Sequence, residues 1–259
     1  MENIKAVVFD WAGTMVDFGS FAPMNAFVEV FAEFGMAISI EQARAPMGMA
    51  KWDHIKTILD MPGVANDFKA TYGHAPSSED VDRIFKVFVP MNEKVAARHS
   101  DLVPGAAAVI KWLSERDIKI GSTTGYTRSI MEHVIPVAAK QGYSPEIVVC
   151  SDEVPNGRPA PDAMEKCFEV LGIDDPSKVI KVDDTEPGIG EGKQAGCLTV
   201  GLTLSGNYAG KTPDELSEMD EKAINELREH AAEKLFGAGA DHVIDSVADL
   251  PELISSLAD

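Results

Sequence analysis

The sequence predicts an α/β fold: a doubly wound parallel sheet into which an all-helical cap domain is inserted. Three observations lead there. From about residue 100 onward short apolar runs alternate with amphipathic helical patterns, the signature of βαβ units and a parallel sheet. A lone strand-like run, Lys5-Ala6-Val7-Val8-Phe9, stands at the start of the chain. Between Gly19 and His99 only helical periodicity appears. The expected division is a core of residues 1–18 and 100–259 and a cap of residues 19–99, lying over the edge where the strands end.

Taken in order, the first strand begins by Ile4 and ends on Asp10. In the cap, Phe27, Val30, Phe31 and Phe34 recur at helical spacing and predict a helix over residues 23–34. Ser39 followed by Gln42 reads as a capping box for the next helix. Gly48 interrupts before a helix carrying Trp52, Ile55, Ile58 and Leu59 on one face. A short helix is expected over residues 67–72, and Ser78 is expected to cap a longer one that turns Val81, Ile84, Phe85 and Phe88 inward. Beyond Pro104-Gly105 the pattern predicts a helix through Leu113, a strand over 118–122, a helix after Tyr126, a strand over 147–150 and a helix over 162–171. Strands follow over 179–182 and 198–202, with a helix over 187–195 between them. Residues 212–235 read as charged and helical, with no visible chemistry.

With 259 residues, 45% of them hydrophobic, the chain can bury a sizeable core. Its net charge of −19 argues against nucleic-acid or anionic-membrane partners, which select basic patches. An anionic substrate would need a metal or a local Lys/Arg cluster to offset that field. Cys150, Cys167 and Cys197 lack Cys-x-x-Cys spacing and fall in or beside apolar segments, so neither a disulfide framework nor a zinc site is indicated. No leader pattern precedes the first strand and no apolar run approaches the roughly 18 residues of a membrane span. A cytoplasmic protein is expected.

Polar groups gather at the predicted strand ends. Asp10 follows the first strand, and Gly13 lets the backbone bend close to a ligand at the edge where open α/β sheets bind. Thr124-Gly125 ends the second strand; alone, such a Thr is a turn or helix-cap residue. Arg158, in Gly157-Arg158-Pro159-Ala160-Pro161, carries a permanent charge that can pair two oxygens, or is a solvated arginine in a proline loop. Asp183-Asp184 close a fourth strand, and adjacent acids there are costly without a cation.

In order and placement these segments resemble motifs I to IV of the haloacid dehalogenase superfamily, whose phosphatases read Asp-x-Asp-Gly-Thr where this chain reads Asp10-Trp11-Ala12-Gly13-Thr14. The resemblance spans essentially the whole chain and implies a Rossmann-like core. It makes Asp10 the nucleophile, Thr124 and the Gly125 N–H the holders of a phosphate oxygen, and Arg158 the charge that offsets nucleophile and phosphate. Mg²⁺ would be held by Asp10, the Ala12 carbonyl and Asp184, with Asp183 supporting. The acid that protonates a leaving oxygen in the phosphatases is replaced by Ala12, so the leaving group here needs no proton from that position. Many members carry a further acid where this chain has Gly188, which leaves Asp183 or Glu186 to compensate.

The cap run Met47-Gly48-Met49-Ala50-Lys51-Trp52-Asp53-His54 resembles the phosphonoacetaldehyde hydrolase branch of that superfamily, as do the runs around Ala12, Thr124 and Arg158. The likeness implies a substrate site that includes Met47 and Gly48, and Lys51 as the amine that forms a Schiff base with the aldehyde of phosphonoacetaldehyde. Loss of the acid and gain of the lysine belong together: cleaving a carbon–phosphorus bond leaves a carbanion, which an iminium can take up as an enamine. Lys51 must then be unprotonated, which burial and nearby positive charge would favour. His54, three residues along, can relay protons or be a core or surface histidine; Tyr126 can order that network or simply pack. The likeness also implies a homodimer formed partly through the cap. Rival expectations are a sugar-phosphate phosphatase or mutase, against which Ala12 speaks; a dehalogenase, disfavoured by Arg158 and the paired aspartates; and a non-catalytic relic.

Overall fold

The computed structural model describes residues 4–258; residues 1–3 and 259, assigned to the core from sequence, lie outside the described residues. Strand β1 (Ala6–Phe9) is buried along its length, and its side chains alternate between two apolar clusters. Val7 and Phe9 pack with Val109, Leu113, Ile130 and Val134 on one face, Ala6 and Val8 with Met164, Phe168 and Leu171 on the other. A strand covered on both faces reads as an unbroken apolar run.

The sheet among the described residues has six parallel strands: β1, β2 (Lys119–Thr123), β3 (Ile147–Val149), β4 (Val179–Asp183), β5 (Leu198–Leu202) and β6 (His242–Ile244). Their order is β3-β2-β1-β4-β5-β6. From β1 at the centre the chain winds outward through β2 and β3, crosses to β4 on the other side of β1, and winds outward again. The winding reverses at β1, so the carboxyl ends of β1, β2 and β4 border the crevice typical of such sheets.

The inserted helices between β1 and β2 are α1 (Phe21–Glu33), α2 (Ile40–Arg44), α3 (Lys51–Leu59), α4 (Pro62–Tyr72) and α5 (Ser78–Ala96). They build their own apolar cluster from Phe27, Phe31, Ile55, Ile58, Phe68, Ile84 and Phe88. Helix α1 starts two residues before the periodicity does, because Asp17 Oδ2 accepts the Ala22 N–H (2.9 Å) and satisfies a free donor of its first turn. Ser39 and Gln42 form the expected capping box on α2. Helix α4 reaches back to Pro62, whose fixed φ suits a first turn, and only Val64 and Phe68 of it are buried, which hides its first half from pattern reading. Ser77, not Ser78, caps α5: it pairs reciprocally with Asp80, a box whose fourth member is Asp rather than Glu.

The sheet is covered by α6 (Ala106–Ser114), α7 (Arg128–Lys140), α8 (Asp162–Leu171), α9 (Glu186–Gln194), α10 (Pro213–Glu218), α11 (Glu221–Gly237) and α12 (Leu250–Ala258). The charged stretch expected as one helical segment is two helices, because the Asp220 carboxylate accepts the Ala223 N–H (2.8 Å) and starts α11 afresh. Strand β6 and α12 have no counterpart in the sequence expectation: β6 is a half-buried edge strand of three residues, too short to show alternation.

Candidate active site

The inserted helices meet the strand ends through glycines. A Cβ on Gly48 (φ +91°) would stand 2.2 Å from Thr185 Oγ1, and one on Gly125 would stand 2.5 Å from the Met49 carbonyl oxygen. The loop before α3 therefore lies directly on the ends of β2 and β4. The cleft beneath it is bordered by Asp10, Ala12, Lys51, Thr124, Tyr126 and Arg158, and also by Met47, Gly48, Gly125, Ser20 and Thr185. Residues as far apart in sequence as Asp10 and Thr185 thus share one cavity.

Below it, Asp10, Asp183 and Asp184 each place a carboxylate oxygen within 4.8 Å of the others, all buried. Burial and the neighbouring Asp183 raise Asp10 to about 6 against the pull of Arg158 and Lys181. Burial, Asp10 and Asp183 raise Asp184 well above the ordinary carboxylate range. Burial works the same way on Asp183, but Arg158 and Lys181 outweigh it and hold it below its ordinary value. Three buried carboxylates, two of them with raised proton affinity, suit a divalent cation, which would relieve the repulsion. Gly13 makes room for them: with φ +84° its missing Cβ would fall 2.3 Å from Asp184 Oδ2.

The acid absent at position 188 has a spatial explanation. A Cβ on Gly188 would stand 1.9 Å from Asp183 Oδ2, so the Asp183 carboxylate occupies that volume. Glu186 turns elsewhere and accepts the Tyr208 hydroxyl (3.1 Å).

Arg158 Nη1 lies 2.8 Å from Asp10 Oδ1 and 3.4 Å from Asp183 Oδ2, without the alignment of a hydrogen bond to either. Burial opposes its charge, but Glu191, Asp183 and Asp10 hold it protonated. Sequence reading missed the frame behind it. Arg158 Nη2 and Lys181 Nζ each donate to Thr123 Oγ1 (2.7 Å), and that hydroxyl donates to Glu191 Oε2 (2.7 Å), which saturates it. Lys181 also lies 3.1 Å from both Asp183 and Glu191, with no exposed surface. The one available signal was Lys181 itself, a charge inside an otherwise apolar strand.

Lys51 opens α3 and is 4% exposed. Its Nζ lies 5.0 Å from the Tyr126 ring centroid and 5.6 Å from that of Phe27. Burial lowers its pKa to about 8; Asp10 and Asp184 oppose the shift and Arg158 adds to it. Thr124 Oγ1 accepts the Tyr126 N–H (3.1 Å). His54 shares α3 but lies outside the cleft lining: fully buried, it stacks on Phe27 (3.7 Å between centroids), and its Nε2 is bonded to the Ala43 carbonyl (2.9 Å). Burial and Lys51 push it well below the ordinary histidine value, so it is neutral.

Three further residues hold the site, though only Thr14 falls in a motif that the sequence shows. Thr14 Oγ1 donates to Asp184 Oδ1 (3.1 Å), the Asn207 N–H donates to Asp184 Oδ2 (2.8 Å), and Ser205 Oγ donates to the Gly13 carbonyl (2.9 Å). Ser205 and Asn207 sit in a Ser-Gly-Asn turn after β5 whose composition says only loop.

Residues 4–196 match the haloacid dehalogenase-like hydrolase family. The phosphonoacetaldehyde hydrolase of Paraburkholderia phytofirmans is 48% identical over 254 residues, 98% of this chain and 95% of that protein. That of Pseudomonas fluorescens is 46% identical over 98% of this chain and 93% of its own length. A phosphonoacetaldehyde hydrolase-like protein from Oleispira antarctica superposes with a TM-score of 0.96 at 39% identity, over 98% of this chain and 92% of that one. The β-phosphoglucomutase of Clostridium difficile, at 19% identity and a TM-score of 0.69, shares the fold. No helix among the described residues is long and apolar enough to cross a membrane. By family match, by identity across its length and by the order of its strand-end motifs, the chain is a haloacid dehalogenase-like hydrolase and belongs to the phosphonoacetaldehyde hydrolase family.

Proposed function

We propose that the protein hydrolyses the carbon–phosphorus bond of phosphonoacetaldehyde to acetaldehyde and phosphate, in 2-aminoethylphosphonate degradation. The observation that carries this reading is a buried Lys51 amine of lowered pKa in one cleft with the Asp10 carboxylate, where Ala12 leaves no side-chain acid. The neutral amine adds to the aldehyde and, with uptake of one proton from solvent, expels water, giving an iminium. An Asp10 oxygen then attacks phosphorus; the carbon–phosphorus bond breaks and its electron pair moves into the iminium, leaving an enamine and an aspartyl phosphate. Water cleaves the acyl phosphate to free phosphate and Asp10. Protonation of the enamine carbon and hydrolysis of the resulting iminium release acetaldehyde and regenerate Lys51.

The Thr124 hydroxyl and the Gly125 N–H hold phosphoryl oxygens, and Arg158 carries the charge between nucleophile and phosphoryl group. Met47 and Gly48 close the substrate space. Tyr126 packs beneath Lys51, and His54 supports that helix as a neutral core residue rather than as an acid. Mg²⁺, held by Asp10, Asp184 and the Ala12 carbonyl with Asp183 in support, would supply positive charge to the transferring phosphoryl group. Residues 19–99 act as the cap domain over a core of 1–18 and 100–259, in a cytoplasmic homodimer.

Borohydride reduction in the presence of phosphonoacetaldehyde, followed by peptide mass mapping, should label Lys51, and phosphate release should require Mg²⁺. Phosphate release without a trappable lysine would exclude the imine route, and turnover undiminished by thorough chelation would exclude the metal.

A further inference from the structure

Away from the cleft, a second contact joins the inserted helices to the sheet. Arg44 ends α2, and its Nη1 donates to the carbonyl oxygens of Gly19 (2.9 Å) and Asn207 (3.0 Å) and to Asn207 Oδ1 (3.1 Å). Asn207 Nδ2 donates back to the Arg44 carbonyl (3.3 Å). The guanidinium lies over the Phe21 ring, 5.4 Å from its centroid, and against Gly210, where a Cβ would stand 3.1 Å from Cζ. No carboxylate among the described residues pairs with it. An arginine whose Nη1 is bound to three neutral oxygens fixes geometry more than it balances charge.

Those oxygens belong to two places that matter for the site. Gly19 lies in the connection from β1 into α1, and its own N–H donates to the Ser205 carbonyl (2.7 Å). Asn207, 2% exposed, gives its backbone N–H to Asp184 Oδ2, and a Cβ on Gly206 would stand 2.3 Å from that of Asp184. Arg44 is thus two hydrogen bonds from a carboxylate of the aspartate cluster. It also lies seven residues before Lys51, on the same inserted segment.

The geometry points to Arg44 as a positioning residue that couples seating of the cap to orientation of Asp184. Docking Arg44 on Asn207 braces the 203–210 loop and so the Asp184 carboxylate, in the same movement that brings Lys51 to the cleft. Metal binding and cap seating then strengthen each other by the same factor, as linkage requires. The coupling rests on the proposed role of Asp184 toward Mg²⁺.

The test uses Arg44→Met, which keeps most of the stem and removes the donors, and Arg44→Lys, which keeps the charge. Mg²⁺ titration calorimetry without substrate should show at least a fivefold weaker dissociation constant for Arg44→Met, the lower end of ordinary couplings, with Arg44→Lys in between. In the wild type, Mg²⁺ should slow hydrogen exchange at the amides of residues 19–22, and Arg44→Met should lose that protection. Asn207→Ala keeps the N–H to Asp184 and removes only the side-chain bonds to Arg44; it serves if Arg44→Met does not fold, and it should weaken Mg²⁺ in the same direction. Wild-type Mg²⁺ affinity in a folded variant, or exchange at 19–22 that ignores Mg²⁺, overturns the coupling. A wild-type protein inactive on phosphonoacetaldehyde would overturn the proposed reaction instead, and leaves these two readouts to judge Arg44.

Discussion

Lys51 must be neutral to attack a carbonyl, and its surroundings decide when it is. With a pKa of about 8 set chiefly by burial, the neutral fraction grows as pH rises through that value. In chelated enzyme, borohydride trapping should therefore accelerate with pH about a midpoint near 8, and Mg²⁺ should move that midpoint down by adding positive charge beside the amine. Lys51→Arg keeps a cation but not a nucleophile, and should abolish both trapping and phosphate release. Asp10→Asn should cut phosphate release by about three orders of magnitude or more, as expected for a lost covalent nucleophile, while imine trapping at Lys51 persists because it needs a different residue. A variant that releases phosphate near the wild-type rate would remove Asp10 from the chemistry. The placement of these groups was in part legible in the sequence, since Asp10, Thr124 and Asp184 each stand at the end of an apolar run and Arg158 in a proline loop before a helix. Thr123 and Glu191 were not, and of their frame only Lys181 stood out, because a group that acts by holding another side chain leaves no spacing of its own. Gly188 illustrates the same limit: its lack of a side chain reads as a missing acid until Asp183 is seen filling the space. Gly188→Ala should displace that carboxylate and lower turnover, whereas Gly63→Ala, with no atom within 4 Å of the added Cβ, should leave activity unchanged and stabilise α4 by roughly 0.5–1 kcal/mol.

The two connections between the inserted helices and the sheet meet at one carboxylate. Asp17 Oδ2 accepts the Ala22 N–H at the start of α1, and Asp17 Oδ1 lies 3.2 Å from His99 Nδ1, just beyond α5. The hydrogen bond to Asp17 is the chief cause that raises His99 above its ordinary value, aided by the charges of Asp17 and Asp101 and opposed by partial burial. A raised folded pKa means that the pair contributes fully below the unfolded value of about 6.5 and loses its contribution as pH rises through the folded value. The thermal midpoint lost in His99→Gln should accordingly be larger at pH 6 than at pH 9; equal losses would show that charge pairing does not hold this connection. Neither Asp17 nor His99 was legible as a pair, since they lie 82 positions apart in the chain, whereas the Ser39–Gln42 box was, because its partners lie within one turn. Local chemistry is written locally. The same rule explains the missed β6, an edge strand whose place follows from pairing with β5 rather than from any pattern of its own.

At the scale of the molecule, an acidic chain concentrates its buried carboxylates where an anionic substrate must bind. The net charge of −19 enriches cations around the protein and repels anions. Lys51, Arg158 and Lys181, all buried, are the local exceptions. Without a cation, Asp10 and Asp184 have raised pKa values, so they favour the fold most when protonated and weaken it as they ionise, Asp10 at about pH 6. A divalent cation reverses that balance, but it must compete with those protons. At pH 8 and Mg²⁺ a hundredfold above its dissociation constant, binding to the folded state alone stabilises by about 2.7 kcal/mol. For a chain of this size that amounts to roughly 5–10 °C in the unfolding midpoint. The same Mg²⁺ concentration should give a much smaller shift at pH 5, where protons occupy the carboxylates, and Asp184→Asn should abolish the shift at pH 8. A Mg²⁺ effect of equal size at pH 5 and pH 8, or one that survives in Asp184→Asn, would place the ion somewhere other than the cluster of Asp10, Asp183 and Asp184.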